Sequence, residues 1–397
     1  MHATPLITTL VGALVTAFLL GALALKLRLP PLLGYLAAGI LVGPFTPGFV
    51  ADGHLAAELA ELGVILLMFG VGLHFSIPDL WAVRRIALPG AFAQIGVAIA
   101  LGCGMGVLLG WSVPQGLLFG MALSVASTVV LLKALEEHNK LETPAGKVAV
   151  GWLVSEDLAT ILALVLIPAL AGSAAASLGD SLQAILITLG KVAAFVAVMM
   201  LVGQKVIPWM LEKIVYTGSR EMFRLGVLAT ALGVAYGATA LFDVSFALGA
   251  FFAGTVLAGS PFSHRAAEEA MPLRDAFAVL FFVAAGMLFD PRVLINDTVA
   301  VLGTVAIIIV GKGLAAWLLM ALLRQPRGDR WLLAASLAQI GEFSFILANL
   351  GLSLELLTPR GHALVMAGAI LSILLNPLLF KLALRRSGQA AAAPAAL

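Results

Sequence analysis

The sequence predicts an all-α polytopic membrane protein of thirteen transmembrane helices, built as an inverted repeat with two interrupted helices. Three observations carry this. Of 397 residues, 61% are apolar and only 11% are charged, where a soluble domain has about 45–50% and about 25%. Apolar stretches of span length alternate with short charged or Pro/Gly-rich breaks. One half of the chain also echoes the other at a constant offset. A soluble fold of this size could not cover its surface with so few charges, which excludes a cytosolic enzyme and a secreted globule. The net charge of +2 is too balanced for nucleic-acid binding, and the single Cys103 excludes a disulfide framework or a cysteine-based metal site.

A helix needs about 20 mostly apolar residues to cross the hydrocarbon core. The stretches that qualify are 5–25, 31–49, 55–74, 86–109, 115–134, 145–170, 182–206, 221–241, 243–259, 271–289, 298–323, 330–352 and 360–383. Lys26 and Arg28 follow the first stretch and no basic residue precedes it, the reverse of a cleaved secretory signal, so it reads as a retained helix. An odd number of spans puts the termini on opposite sides. Of 23 Lys and Arg, Arg292 and Arg360 lie on one side, Lys191 and Lys312 lie inside spans, and the other 19 share the opposite set of loops and the tail. Basic loops stay cytoplasmic, which puts the N-terminus in the periplasm and the C-terminus inside. The loops are too short for a soluble domain. Residues 1–386 therefore read as one transmembrane domain, and the low-complexity tail 387–397 as disordered.

The repeat shows in LGYLAAGILVGP (33–44) and LGAFFAGTVLAGSP (248–261), where Gly34 and Gly39 fall on Gly249 and Gly254. FGVGLHF (69–75) falls likewise on VAAGMLF (283–289). The same offset lays Ser124-Val125-Ala126-Ser127-Thr128 of the fifth span on Ala338-Gln339-Ile340-Gly341-Glu342 of the twelfth. The copies cover about 31–170 and 243–383, and partners stand seven spans apart. Seven is odd, so the copies cross in opposite directions. Inverted repeats are the plan of secondary transporters, whose site lies near mid-membrane where interrupted helices of both copies meet.

A charge at a helix centre costs about 2.5–3.5 kcal/mol on insertion scales. Glu156, Asp157, Lys312 and Glu342 all sit well inside spans and demand a compensating partner or a function. Lys191 lies near the outer end of its span and reads as a structural, snorkelling lysine. Glu156 and Asp157 are adjacent in GWLVSEDLATILALVLIP, so on a helix they point in different directions. One can face Lys312 while the other faces a cavity. Burial favours the neutral form of a carboxylate, and a hard monovalent cation prefers oxygen ligands. A single carboxylate can then hold a proton or an alkali cation but not both well, the minimum chemistry for exchange. The bland alternative is a buried acid–lysine pair that only locks helices together.

The hydroxyls of SVAST (124–128) either bond back to the preceding turn or mark a helix break. Their repeat partner AQIGEFSF (338–345) carries Gln339, Gly341, Glu342 and Ser344, residues that let a helix open and turn backbone dipoles toward an ion. Gly102-x-Gly104-x-Gly106 lies in an apolar span with no preceding strand and reads as helix packing. Met199, Met200, Phe281 and Phe282 read as lipid or core contacts. His74, His138 and His264 lack a metal-ligand spacing, and neither HExxH nor a hydrolase constellation is present.

Taken together, the inverted repeat, the acidic pair ending in Asp157, Lys312, the fifth-span hydroxyls and QIGEFSF (339–345) resemble the membrane domain of bacterial monovalent cation:proton antiporters. Within them the chain is most similar to the Kef-type branch and its YbaL-like members, from LPPLLGYLAAGILVGP (29–44) to the last span. The resemblance implies that the two broken helices cross. It also implies that Asp157 is the cation- and proton-binding carboxylate, for K+ or Na+. Glu156 stands where relatives carry Asp, Asn or Gln, and Lys312 resembles the lysine that pairs with an acidic residue there. Ser127 and Thr128 fall in the first unwound segment, Gln339 and Glu342 in the second. Family members are homodimers with a mobile core, which here spans 86–170 and 298–383. Kef-type proteins add a C-terminal nucleotide-binding regulatory domain, and no such sequence follows Arg386.

The resulting expectation is a secondary active antiporter of the bacterial inner membrane that exchanges K+ or Na+ for H+ by alternating access. It is not an enzyme and carries no cofactor beyond the transported ions. Its expected partners are membrane lipid and a second copy of the chain, not nucleic acid. The rivals are a gated K+ efflux channel and an ion-coupled organic-solute symporter in which Lys312 binds the solute.

Overall fold

The computed structural model describes residues 5–47, 51–75, 77–172 and 178–386; the expected disordered tail lies outside them. The described residues are helical, without a strand. In chain order the helices are α1 (Pro5–Lys26), α2 (Pro31–Val42), α3 (Gly53–His74), α4 (Ile77–Leu108), α5 (Val113–Ser124), α6 (Thr128–Glu137) and α7 (Pro144–Gly172). There follow α8 (Leu178–Val198), α9 (Gln204–Tyr216), α10 (Arg220–Phe242), α11 (Phe246–Ala258) and α12 (Ser263–Met287). The last are α13 (Val293–Asn296), α14 (Thr298–Ala306), α15 (Lys312–Leu322), α16 (Arg327–Leu337), α17 (Glu342–Ser353) and α18 (Pro359–Arg386). Two π-helical turns, Met199–Gly203 and Ile307–Gly311, join α8 to α9 and α14 to α15.

Each of the thirteen expected stretches contains a helix. Ten segments among the described residues are long and apolar enough to span a membrane, one of them the α5–α6 pair, and the bent α16–α17 pair makes an eleventh. α2 and α11 have only 12 and 13 residues, short of the roughly 20 needed. Each stops just before a Gly/Pro pair or triplet, Gly43-Pro44 and Gly259-Ser260-Pro261, where the residue preceding proline is driven out of helical conformation.

The repeat is wider than the sequence motifs indicate. Helix starts recur as Pro5/Arg220, Pro31/Phe246, Ile77/Val293, Val113/Arg327, Thr128/Glu342 and Pro144/Pro359, always 214–216 residues apart. It therefore takes in α1 and α10 as well.

Contacts divide the chain into two compact units. The first comprises Met1–Leu23, Gly34–Ser76 and Ile161–Leu288; the second comprises Ala24–Leu33, Ile77–Thr160 and Phe289–Leu397. In the first, α3 packs on α11 and α12. Small residues make this possible: Gly39 of α2 lies against Gly286 of α12, and Gly254 of α11 against Gly72 of α3, with backbone touching backbone. The two crossings are repeat equivalents. Glu269 of α12 is buried and takes Arg220 and Arg224 of α10, and Lys191 pairs with Asp243.

In the second unit α5 lies along α4, with Gly120 against Gly102 and Gly116 against Gly106, so the G-x-G-x-G run packs helices. Trp152 of α7 is fully buried and sits over Gly90 of α4. Around it Leu131, Leu333, Leu337 and Phe380 close an apolar core.

Filling a crossing must separate backbones. Gly39→Leu and Gly254→Leu are each expected to destabilise the protein by at least about 1–3 kcal/mol in detergent thermal unfolding. Gly104→Leu, where an added Cβ meets nothing within 4 Å, should leave unfolding unchanged.

Candidate functional site

Two helix breaks meet within the second unit. The chain leaves helical geometry over 125–127, between α5 and α6, and over 338–341, between α16 and α17, whose axes differ by 42°. α17 packs beside α5, and α6 beside α16. The half after one break thus lies along the half before the other, the antiparallel crossing an inverted repeat requires. At the crossing Gly341 lies directly on Ser127, and a Cβ there would overlap the Ser127 Cα and Cβ. The Gly341 backbone is extended, with φ −141°, so glycine is needed here for space.

A broken helix leaves backbone donors and acceptors without their usual partners, and each buried orphan costs about 1–3 kcal/mol. Gln339 meets this need. Ser127 N donates to Gln339 Oε1 at 2.8 Å, and Gln339 Nε2 donates to Ser127 O at 3.1 Å and Ser336 O at 3.3 Å. Ser344 Oγ donates to Val125 O at 3.3 Å, and Ser127 Oγ donates to Glu342 Oε2 at 3.1 Å. On the far side Ile340 N donates to Ser372 Oγ and Asn376 Nδ2 donates to Ala335 O.

Thr128 and Glu342 are the first residues of α6 and α17. The positive ends of two helix dipoles therefore converge on the crossing. α7 brings the acidic pair to it. Asp157 Oδ2 accepts from Thr128 Oγ1 at 3.1 Å, while Glu156 Oε2 accepts from Ala126 N at 3.0 Å and Glu156 Oε1 from Gln94 Nε2 at 2.9 Å. Both carboxylates address the first break, but Glu156 has each oxygen engaged. Asp157 Oδ1 and Glu342 Oε1 are buried and have no hydrogen-bond partner among the described residues.

Lys312, 0% exposed, follows the π-helical turn and donates from Nζ to Gln339 O at 3.0 Å. The pairing expected with Glu156 is a charge–charge interaction across the cluster, since the lysine's hydrogen bond goes to a carbonyl and those of Glu156 come from Gln94 and Ala126. Asp157 feels Glu342 and Glu156 as like charges. All seven residues singled out from sequence, Ser127, Thr128, Glu156, Asp157, Lys312, Gln339 and Glu342, thus lie in one hydrogen-bonded and electrostatic network. Sequence reasoning missed Gln94, Ser372 and Asn376, each buried. The signal was a lone polar residue inside an apolar span, in AFAQIGV, AILSILL and LLNPLL.

The donors are hydroxyl, carboxylate and carbonyl oxygens, suited to a hard cation. Among the described residues no three His, Cys, Asp or Glu side chains converge to hold a metal ion. The cluster carries three carboxylates, Glu156, Asp157 and Glu342, against one ammonium, Lys312. Buried charge of this excess has to be neutralised by protons or by a bound cation.

Residues 14–386 match the family described as sodium/hydrogen exchanger, transmembrane. The putative cation/proton antiporter YbaL of Escherichia coli K12 is 62% identical over 386 residues, which cover 96% of this chain and 69% of that protein. K(+) efflux antiporter 4 of Arabidopsis thaliana is 32% identical over 379 residues, covering 95% of this chain and 64% of that protein. The solved structure of the sodium proton antiporter MjNhaP1 from Methanocaldococcus jannaschii matches with a TM-score of 0.67 over 96% of this chain and 99% of that one. At 17% identity that is a likeness of fold.

Gln339→Leu removes the partner of Ser127 N and is expected to destabilise the protein by about 1–3 kcal/mol, the cost of an unpaired buried donor. Ser372→Ala, which loses a long 3.4 Å contact from Ile340 N and a bond to Ala369 O within its own helix, should cost less. Thermal unfolding of both variants in one detergent checks the order.

Proposed function

The chain belongs to the sodium/hydrogen exchanger family, and from that membership we propose that Asp157 exchanges K+ or Na+ for H+ across a bacterial inner membrane by alternating access. The observation that carries this is the unbalanced buried charge. Three carboxylates share one lysine, and two of the carboxylate oxygens have no partner.

In the inward- or outward-open state, deprotonated Asp157 takes the cation, with Thr128 turning a hydroxyl lone pair to it. Glu342 accepts from Ser127 across the crossing and ties the two breaks together. On the return leg a proton neutralises Asp157 in the cation's stead. Glu156, both of whose oxygens already accept a hydrogen bond, takes no part in the exchange. The second unit, which contains every site residue, is the part that carries the ion. The excess of Lys and Arg in one set of loops supports an N-terminus in the periplasm and a C-terminus in the cytoplasm, and the proposed working assembly is a homodimer. A solute symporter would need Lys312 free to bind substrate, but that ammonium is fully buried and committed to Gln339 O.

Reconstituted protein with a pH-sensitive dye inside the vesicles tests the assignment. K+ or Na+ added outside vesicles that lack it should alkalinise the lumen, as the cation enters and H+ leaves, and Asp157→Asn should abolish the response. Thr128→Val, which loses one ligand worth about 1–1.5 kcal/mol, should raise the cation KM roughly tenfold with little change in maximal rate. Exchange that persists in Asp157→Asn ends the proposal.

A further inference from the structure

We propose that a groove on the second unit, formed by α15, α16 and α18, holds one anionic phospholipid of the surrounding bilayer. The groove encloses about 520 Å³, inside the roughly 300–1,000 Å³ typical of ligand sites. Its floor is made of small residues, Gly313, Ala334, Ala335 and Ala338. A Cβ added to Gly313 would find Ala334 O at 3.6 Å and Ala338 Cβ at 3.8 Å, ordinary contacts. The walls are aliphatic, and Val310, Leu314 and Leu382 along them are 61%, 53% and 46% exposed. The groove therefore opens on an apolar face, the side that meets acyl chains.

One end is built differently. Trp317 and Trp331 stand with ring centroids 5.8 Å apart, Arg330 lies over the Trp317 ring and Arg386 over the Trp331 ring. The indole N–H of Trp317 is buried and has no hydrogen-bond partner among the described residues. No carboxylate lines the groove. Tryptophan and arginine at one end of an apolar face are the pattern of a headgroup interface, and a guanidinium matches phosphate geometry in two-point contact. Among the described residues neither Arg330 nor Arg386 has an ion-pair partner, and such positive charge selects an anionic headgroup over a zwitterionic one. The site is independent of the ion chemistry, yet it abuts it. Ala338 opens the second break and Gly313 follows Lys312, so an acyl chain in the groove braces the crossing from behind.

Delipidated protein in detergent, given phosphatidylglycerol or phosphatidylcholine, is assayed by native mass spectrometry and thermal unfolding. Wild-type protein should retain one phosphatidylglycerol and be stabilised by it, with at least about fivefold preference over phosphatidylcholine. Arg386→Ala, at the exposed end of α18, should cut retention about fivefold, and Gly313→Leu should abolish it for both lipids. Equal retention of the two lipids by wild-type protein overturns the proposal. So does undiminished phosphatidylglycerol retention in Arg386→Ala, a variant that decides the matter even if Gly313→Leu does not fold.

Discussion

The amide of Gln339, exchanging hydrogen bonds with the backbone N–H and carbonyl of Ser127, is the constraint on which the rest of the site depends. Two helices cannot open within a low-dielectric interior unless the freed backbone groups find partners. Gln339 supplies a donor and an acceptor from one helix to the break in the other. Gly341 adds the close approach that places them in register, because nothing larger fits over Ser127. Once the breaks are held, Thr128 and Glu342 begin their helices at the crossing, and their positions follow from the same geometry.

The acidic residues then acquire distinct duties from their surroundings. Glu156 and Asp157 are chain neighbours on α7, but one meets Ala126 N and Gln94 while the other meets only the Thr128 hydroxyl. Both oxygens of Glu156 accept a hydrogen bond, whereas Asp157 Oδ1 has no partner among the described residues. In the proposed exchange, that idle oxygen is the one that changes its occupant. Lys312 serves two purposes, offsetting the acidic excess and capping the Gln339 carbonyl that the second break exposes. The π-helical turn just before it re-aims the lysine within its span, a role such turns often have at functional sites.

What could be read in advance was whatever leaves a local or periodic trace. Gly39 and Gly72 match Gly254 and Gly286 as a repeat in the sequence, and in the fold Gly39 meets Gly286 while Gly254 meets Gly72. Buried charge is legible because Glu156, Asp157, Lys312 and Glu342 stand out in apolar stretches. Polar interruptions at matching repeat positions located both breaks. The partners of those residues were not legible, since Gln339 is 212 residues from Ser127 and no pattern states which backbone an amide serves. Gln94 was lost for the same reason, as a lone amide in an apolar run. The expected stretch 31–49 runs past the end of α2 at Val42 because apolar composition continues beyond Gly43-Pro44, whereas 243–259 begins three residues before α11.

The central claim is that one carboxylate, Asp157, is held by either a proton or a monovalent cation. Calorimetry of K+ and Na+ binding to the purified protein, in buffers of different ionisation enthalpy and over a range of pH, addresses this without relying on transport. The account predicts that each cation bound releases a proton, that affinity weakens as pH falls, and that both effects vanish in Asp157→Ala. Cation binding that releases no proton and keeps its affinity across pH would contradict it.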